Sequence, residues 1–259
     1  MMDHSTEDGV PEAPLTSAAP VDQVASADAF ARLAVELHDA DGLGETVEAV
    51  AQFALQTLNC SHAGIALFAP DARLEIATVT DPVVAEVYGL QLDSETGPLV
   101  TALRERAAVL IRDTTREQRW PEWTAKVAAL GVRSVLDAPL VTGDRQSKTI
   151  GVLGLYSPEP DAFSEDGKAV AHILARHASI AVATARHEET MAQAVDARKL
   201  VGQAMGILME RLDLDGDQAF AILKRYSQDT NTKLRDVAQQ LVDTRKLPSS
   251  APNSTPRYS

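Results

Sequence analysis

The chain has 259 residues, 45% of them hydrophobic, a formal net charge of -13 and one cysteine, Cys60. That apolar content can fill one large core or two modest ones, and a lone cysteine excludes an internal disulfide and any multi-cysteine zinc site. No run reaches about 18 uncharged apolar residues, and the acidic start MMDHSTEDGVPEAP lacks the basic flank and apolar core of a signal peptide, so a cytoplasmic protein without a membrane span is expected.

Residues 1–26 are rich in Pro, Ser, Asp and Ala without periodicity and read as a disordered lead; the tail, 248–259, reads the same way. Ser26 is the expected N-cap of a first helix, with Phe30, Leu33, Ala34 and Leu37 following at helical spacing. A second helix over 43–58 carries Val47, Val50, Ala54 and Leu58 on one face. The period then changes. AGIALFA (63–69), RLEIATV (73–79), AVLIRD (108–113), RSVLDAPLV (133–141) and KTIGVLGLYS (148–157) are short, rich in Val, Ile and Leu, and predict five strands. PDAR and TGDRQS are hairpin-like connections, which favours antiparallel pairing. PVVAEVYGL, GPLVTALRER and WPEWTAKVAALG between them read as short helices, giving an α+β domain with an antiparallel sheet.

This region resembles a GAF domain, a small-ligand or signal-sensing module, most clearly in GVRSVLDAPLV and IGVLGLYSPEPDAFSEDGKAVAHILARHASIAVA. The resemblance implies a GAF-like sensor domain over 27–187 that responds to an unidentified small molecule or protein. Trp120 and Trp123, in RWPEW, could line its ligand pocket, and core packing is an equal claim on them. Cys60, His62, His172 and His177 show no spacing that compels a metal site.

From Ser164, an expected N-cap, helical sequence continues without proline to about Leu212, roughly 70 Å at the usual rise. A 3-4 stripe runs through Val170, Ile173, Ile180, Met191, Ala194, Val201, Met205 and Leu208 to Leu212, with His177, Thr184, His187 and Arg198 interrupting it. It predicts a coiled-coil-like seam of a homodimer, weakest in the middle.

Beyond it, Asp215 and Gln218 fit a capping box. A helix follows with Ala219, Ile222, Leu223 and Tyr226 inward, ending near Asp229. Asn231 or Thr232 is expected to cap a last helix whose apolar face is Leu234, Val237, Ala238, Leu241 and Val242. Charge changes with structure. Residues 1–195 sum to -15 and residues 196–247 to +1, so the two parts suit different partners.

RKLVGQAMGILMERLDLDGDQAFAILKRYSQDTNTKLRDVAQQLV resembles an ANTAR domain, the RNA-binding module of bacterial transcription antiterminators. The resemblance implies an all-α three-helix bundle over 188–247, its first helix continuous with the closing helix of the sensor. It also implies binding to paired hairpins in nascent mRNA leaders. Lys199, Gln203, Lys224, Arg225, Ser227, Gln228, Asn231, Lys233 and Arg235 are the expected RNA-binding residues, with a solvated surface as the plain alternative for the cations and helix capping for Ser227, Gln228 and Asn231. Many family members carry lysine where this chain has Met205. Gly202 and Gly206 each weaken a helix by about 1 kcal/mol, and close helix packing around Gly202, Ala204 and Gly206 is the expected compensation. A regulator without a catalytic step fits best. An enzyme of the methionine sulfoxide reductase kind needs several cysteines, and a bundle that binds another protein rather than RNA is the remaining alternative.

Overall fold

The structure, a computed structural model, describes residues 21–143 and 148–247, with the backbone alone for 21–26. Of the expected disordered segments, 1–20 and 248–259 lie outside the described residues, whereas 21–26 are helical rather than disordered. The chain divides into two compact units, Met1–Ser179 and Ile180–Ser259.

The first unit is α+β. Its helices are α1 (Val21–Asp39), α2 (Gly42–Thr57), α3 (Pro82–Ser94), α4 (Pro98–Glu105), α5 (Pro121–Ala129) and the start of α6 (Glu165–Leu212). Its strands, among the described residues, are β1 (His62–Phe68), β2 (Leu74–Val79), β3 (Val109–Ile111), β4 (Ser134–Thr142) and β5 (Lys148–Ser157). They pair antiparallel in the order β2-β1-β5-β4-β3. Helix α1 begins at Val21, so Ser26 lies inside it and is not its N-cap. A helix-permissive stretch, VDQVA, precedes the serine, and the chain uses it.

Proline marks the helix starts. Pro82, Pro98 and Pro121 each open a helix, where the missing N–H has no intrahelical partner to lose. Asp81 adds a side-chain cap to α3, accepting from Val83 N–H at 2.8 Å. Ser164 caps α6 as expected, with Gly167 N–H donating to its Oγ at 3.0 Å. Pro139 sits inside β4, where β3 no longer reaches: β3 pairs with β4 only at Val135, Leu136 and Asp137. The ring therefore removes no ladder bond on that side.

Strand alternation sorts side chains into two faces. On one, Ala66, Val135, Val152 and Tyr156 pack with Val84, Val87 and Tyr88 of α3, Leu99 and Ala102 of α4, and Trp123 and Val127 of α5. On the other lie Ile65, Leu136, Leu153 and Leu155, all buried. Helix α2 borders β1 and β2, and Phe30 of α1 meets both Phe53 of α2 and His177 of α6, with ring centroids 5.1 and 5.5 Å apart.

Tyr88 ties α3 to the sheet. Its hydroxyl donates to the Gly64 carbonyl at 2.7 Å and accepts from Gly154 N–H at 3.1 Å, in full burial. Tyr88→Phe leaves two buried backbone groups unanswered and is expected to destabilise the first unit by about 1 to 3 kcal/mol, read as a lower urea midpoint with an unchanged slope.

Candidate nucleic-acid interface

The second unit holds the rest of α6 with α7 (Gly216–Asp229) and α8 (Leu234–Thr244). Ala204 and Leu208 of α6, Ala219 and Leu223 of α7, and Val237, Ala238 and Leu241 of α8 form one buried cluster. The spacing of four in each helix puts each pair on a single face. The capping box at the start of α7 is present: Gln218 N–H donates to Asp215 Oδ1 at 2.8 Å, and Asp215 N–H to Gln218 Oε1 at 3.1 Å.

The corner between α7 and α8 differs from expectation. Asn231 does not cap α8; it takes a left-handed conformation, φ 50°, just after the C-cap Thr230. Asparagine tolerates that geometry, which helix ends favour. Thr232 does not cap α8 either. The N-cap is Lys233, whose side chain makes no capping bond. Ser227 braces the turn instead, its Oγ donating to the Thr232 carbonyl at 2.6 Å while Thr232 N–H donates to the Ser227 carbonyl at 3.0 Å.

Around this fixed corner Lys224, Arg225, Gln228, Asn231, Lys233 and Arg235 are exposed, and Ser227 is half-buried. Arg225 faces Asp229 at 3.5 Å. Lys224, Lys233 and Arg235 form no ion pair among the described residues, nor does Lys199, which is exposed on α6 with Gln203. Phe220, exposed on α7 at 41%, was not singled out by the sequence. It lies one residue from the inward face, where helical periodicity leaves its environment undecided.

In the first unit Trp123 is buried in the core and its Nε1 has no hydrogen-bond partner. Trp120 is half-buried under the Arg119 guanidinium, 4.5 Å from the ring centroid. Neither lines the open groove of about 830 Å³ beside β3. That groove is walled by charges that answer one another: Arg112 meets Asp161 and Glu165, and Arg119 meets Glu117. At its margin the Arg133 guanidinium holds the Asp113 carboxyl well below the usual carboxylate range. Burial pushes the Cys60 thiol up to about 11, so it stays protonated at neutral pH. Asp137 of β4 is fully buried beside Tyr156, and desolvation, offset in part by the tyrosine hydroxyl, pushes its carboxyl up to about 8. Among the described residues no cluster of His, Cys, Asp and Glu could hold a metal, and no helix is long and apolar enough to cross a membrane.

The GAF domain family model matches residues 42–182, and the ANTAR domain model matches residues 189–242. The chain belongs to the GAF family and carries a C-terminal ANTAR domain. A phytochrome photosensory core module from Stigmatella aurantiaca shares its fold at a TM-score of 0.55 and 14% identity, over 82% of this chain and 46% of that one. A GAF domain from an Acinetobacter phosphoenolpyruvate-protein phosphotransferase gives a TM-score of 0.47 at 14% identity, covering 64% and 98% of the two chains. The free methionine-R-sulfoxide reductase of Neisseria meningitidis, solved with its substrate, gives 0.48 at 15%, covering 66% and 96%. No curated protein matches the chain. The architecture is that of a sensor joined to an RNA-binding ANTAR domain, typical of a regulator.

In the ANTAR domain Met205 is an apolar packing residue: it lies against the buried cluster, with Cε 3.8 Å from where a Cβ on Gly216 would sit. The glycines overturn an expectation. Ala204 is buried, yet Gly202 and Gly206 are exposed, and a Cβ added at either meets nothing within 4 Å. Among the described residues no helix presses on them, so close packing within the bundle does not account for them. Gly206→Ala is therefore expected to stabilise the ANTAR domain by about 1 kcal/mol through helix propensity, read by chemical unfolding. Unchanged or lower stability would show that the open face is occupied in solution.

Proposed function

We propose that the chain is a signal-responsive regulator whose ANTAR domain binds paired hairpins in nascent mRNA leaders and promotes transcription antitermination. The observation that carries this reading is the corner at 227–233, fixed by its own hydrogen bonds and ringed by Lys224, Lys233 and Arg235 without ion-pair partners among the described residues. Cations left free beside a rigid turn suit phosphate contacts, and exposed Gln228 and Asn231 suit loop bases. Lys199, Gln203 and Arg225 extend the surface, Arg225 in exchange for its contact with Asp229, and Ser227 acts by holding the turn.

In this reading residues 27–187 are the sensor and 188–247 the effector, in a cytoplasmic homodimer seamed along α6. A signal that binds the RNA-competent state better shifts the population toward it. The protein-binding alternative is an outcome of the test. Neutralising Lys233 or Arg235 is expected to weaken all hairpins alike and to lower the slope of log affinity against log salt by about 0.7 to 0.9 per lost phosphate contact. Asn231→Ala is expected to reduce discrimination among loop sequences. Because residue 231 has positive φ, Asn231→Gly serves as the backbone control, keeping the turn while removing the amide. Parental salt slopes in the charge variants, together with unaltered loop preference in the folded Asn231 variants, would place the RNA surface elsewhere or replace RNA by a protein partner.

A further inference from the structure

Phe220 is an aromatic residue that its own chain leaves 41% exposed, on α7 next to Ala219 of the buried cluster but outside that cluster. Exposed apolar side chains standing singly are commonplace. What separates this one is its place along the helix. A long helical side chain leans back over the preceding turn, and one turn before Phe220 stands Gly216, which carries no side chain. A Cβ built on Gly216 would find Met205 Cε as its neighbour, at 3.8 Å, so the spot is bare backbone edged by a thioether. One turn after Phe220, Lys224 is exposed and without an ion pair among the described residues. Ser227, which braces the corner before α8, follows on the same side of α7.

Apolar ring, bare backbone and free cation succeed one another over two turns of one helix. We infer that Phe220 is the platform on which one unpaired loop nucleotide stacks its base, with the phosphate of that nucleotide or its neighbour at Lys224. The inference deepens the RNA-binding reading of the ANTAR domain and rests on it. A base in the stem is already stacked on both sides and cannot use the ring, so the occupant is a base turned out of a loop. Its other edge would lie over Gly216, where no side chain stands in the way, and against the polarisable Met205. The lysine gives a nucleotide the advantage over a purely apolar partner, for which Lys224 would be a charge to desolvate.

The platform has its own signature. Every base has a π-face, so stacking adds affinity with little regard to base identity. A phenylalanine neutralises no phosphate and releases no counterion, so its loss leaves the salt dependence of binding in place. Phe220 is thereby separable from Lys233 and Arg235, which set the salt slope, and from Asn231, which sets the choice among loops.

The test uses the full chain and hairpin RNAs selected for binding to it from a pool with randomised loops. Phe220→Ala is expected to weaken these hairpins by about five- to 150-fold, the usual range for loss of one base–aromatic stack, with the parental salt slope. Phe220→Tyr and Phe220→Trp, which keep a ring, should bind like the parent. Phe220→Leu keeps apolar bulk without the ring and should behave as Phe220→Ala does, which guards against an unfolded alanine variant; chemical unfolding reports the stability of each. Removing the loop bases one at a time as abasic sites should locate one position at which parent and Phe220→Ala bind equally. Parental affinity in the folded alanine and leucine variants overturns the platform and leaves the RNA reading standing. A deficit that persists at every abasic position, or a lowered salt slope, overturns it too. If sedimentation shows that Phe220→Ala changes the oligomeric state and binding falls only with it, the ring faces a second copy of the chain and not a base. Failure of the parent to select any hairpin removes the RNA reading itself, and the platform with it.

Discussion

Much of the GAF domain depends on the approach of α3 to the sheet at Gly64 and Gly154. A Cβ on Gly64 would lie 2.7 Å from Val84 Cγ1, and one on Gly154 would strike the tyrosine hydroxyls. Two strands without side chains at these points let Tyr88 reach backbone groups of β1 and β5 with one oxygen. The contact fixes α3, and with it the layer of Val84, Val87, Leu99 and Ala102 against which Trp123 packs. A larger residue at either glycine would lift the helix and open that layer.

The same closeness places Asp137 where no backbone group answers it. The short β3 ends its pairing at Asp137, so the strand is covered there, while the side chain points to the face that the tyrosines share. Electrostatics follow from topology: a carboxyl on a central strand, opposite a glycine, is dry. Were it on β2, whose burial pattern is half-exposed or exposed throughout, the same residue would be an ordinary solvated acid.

The sequence made the elements legible where local chemistry was decisive. Short runs of Val, Ile and Leu gave strands within one or two residues, because β-branched side chains suit a pleated surface. The capping box and the Ser164 cap were readable because they are satisfied by residues three apart. What stayed hidden needed knowledge of neighbours. Gly202 and Gly206 announce a flat helix face and say nothing of what lies over it; it is open. Asn231 suits both an N-cap and a left-handed C-terminal position, and only the path of the next residues decides between them. Ser26 has cap chemistry, but the preceding residues are themselves helical. Asp137 stood in plain view within SVLDAPLV, where strand alternation offered a solvent face that the added helical layer removes.

Helix α6 shows how one element serves two units with different demands. Near its start Ala171, Leu174, Ala175 and Ala178 are buried, and near its end Ala204 and Leu208 are buried in the ANTAR core. Residues 191–196 between them, MAQAVD, are exposed at every position. Among the described residues no tertiary burial holds that stretch helical. Its helicity rests on good helix formers, Met191, Ala192, Gln193 and Ala194, and on continuity with flanking turns already formed, which spares it the cost of nucleation. Met191 and Val195 remain 55% and 59% exposed there, and Ile180 65%. Of these, Ile180 and Met191 lie on the stripe that the proposed homodimer seam would cover. A signal altering that cover would act on the segment with the least support of its own, so the stretch between the two cores is the economical place for the sensor to influence the RNA-binding bundle.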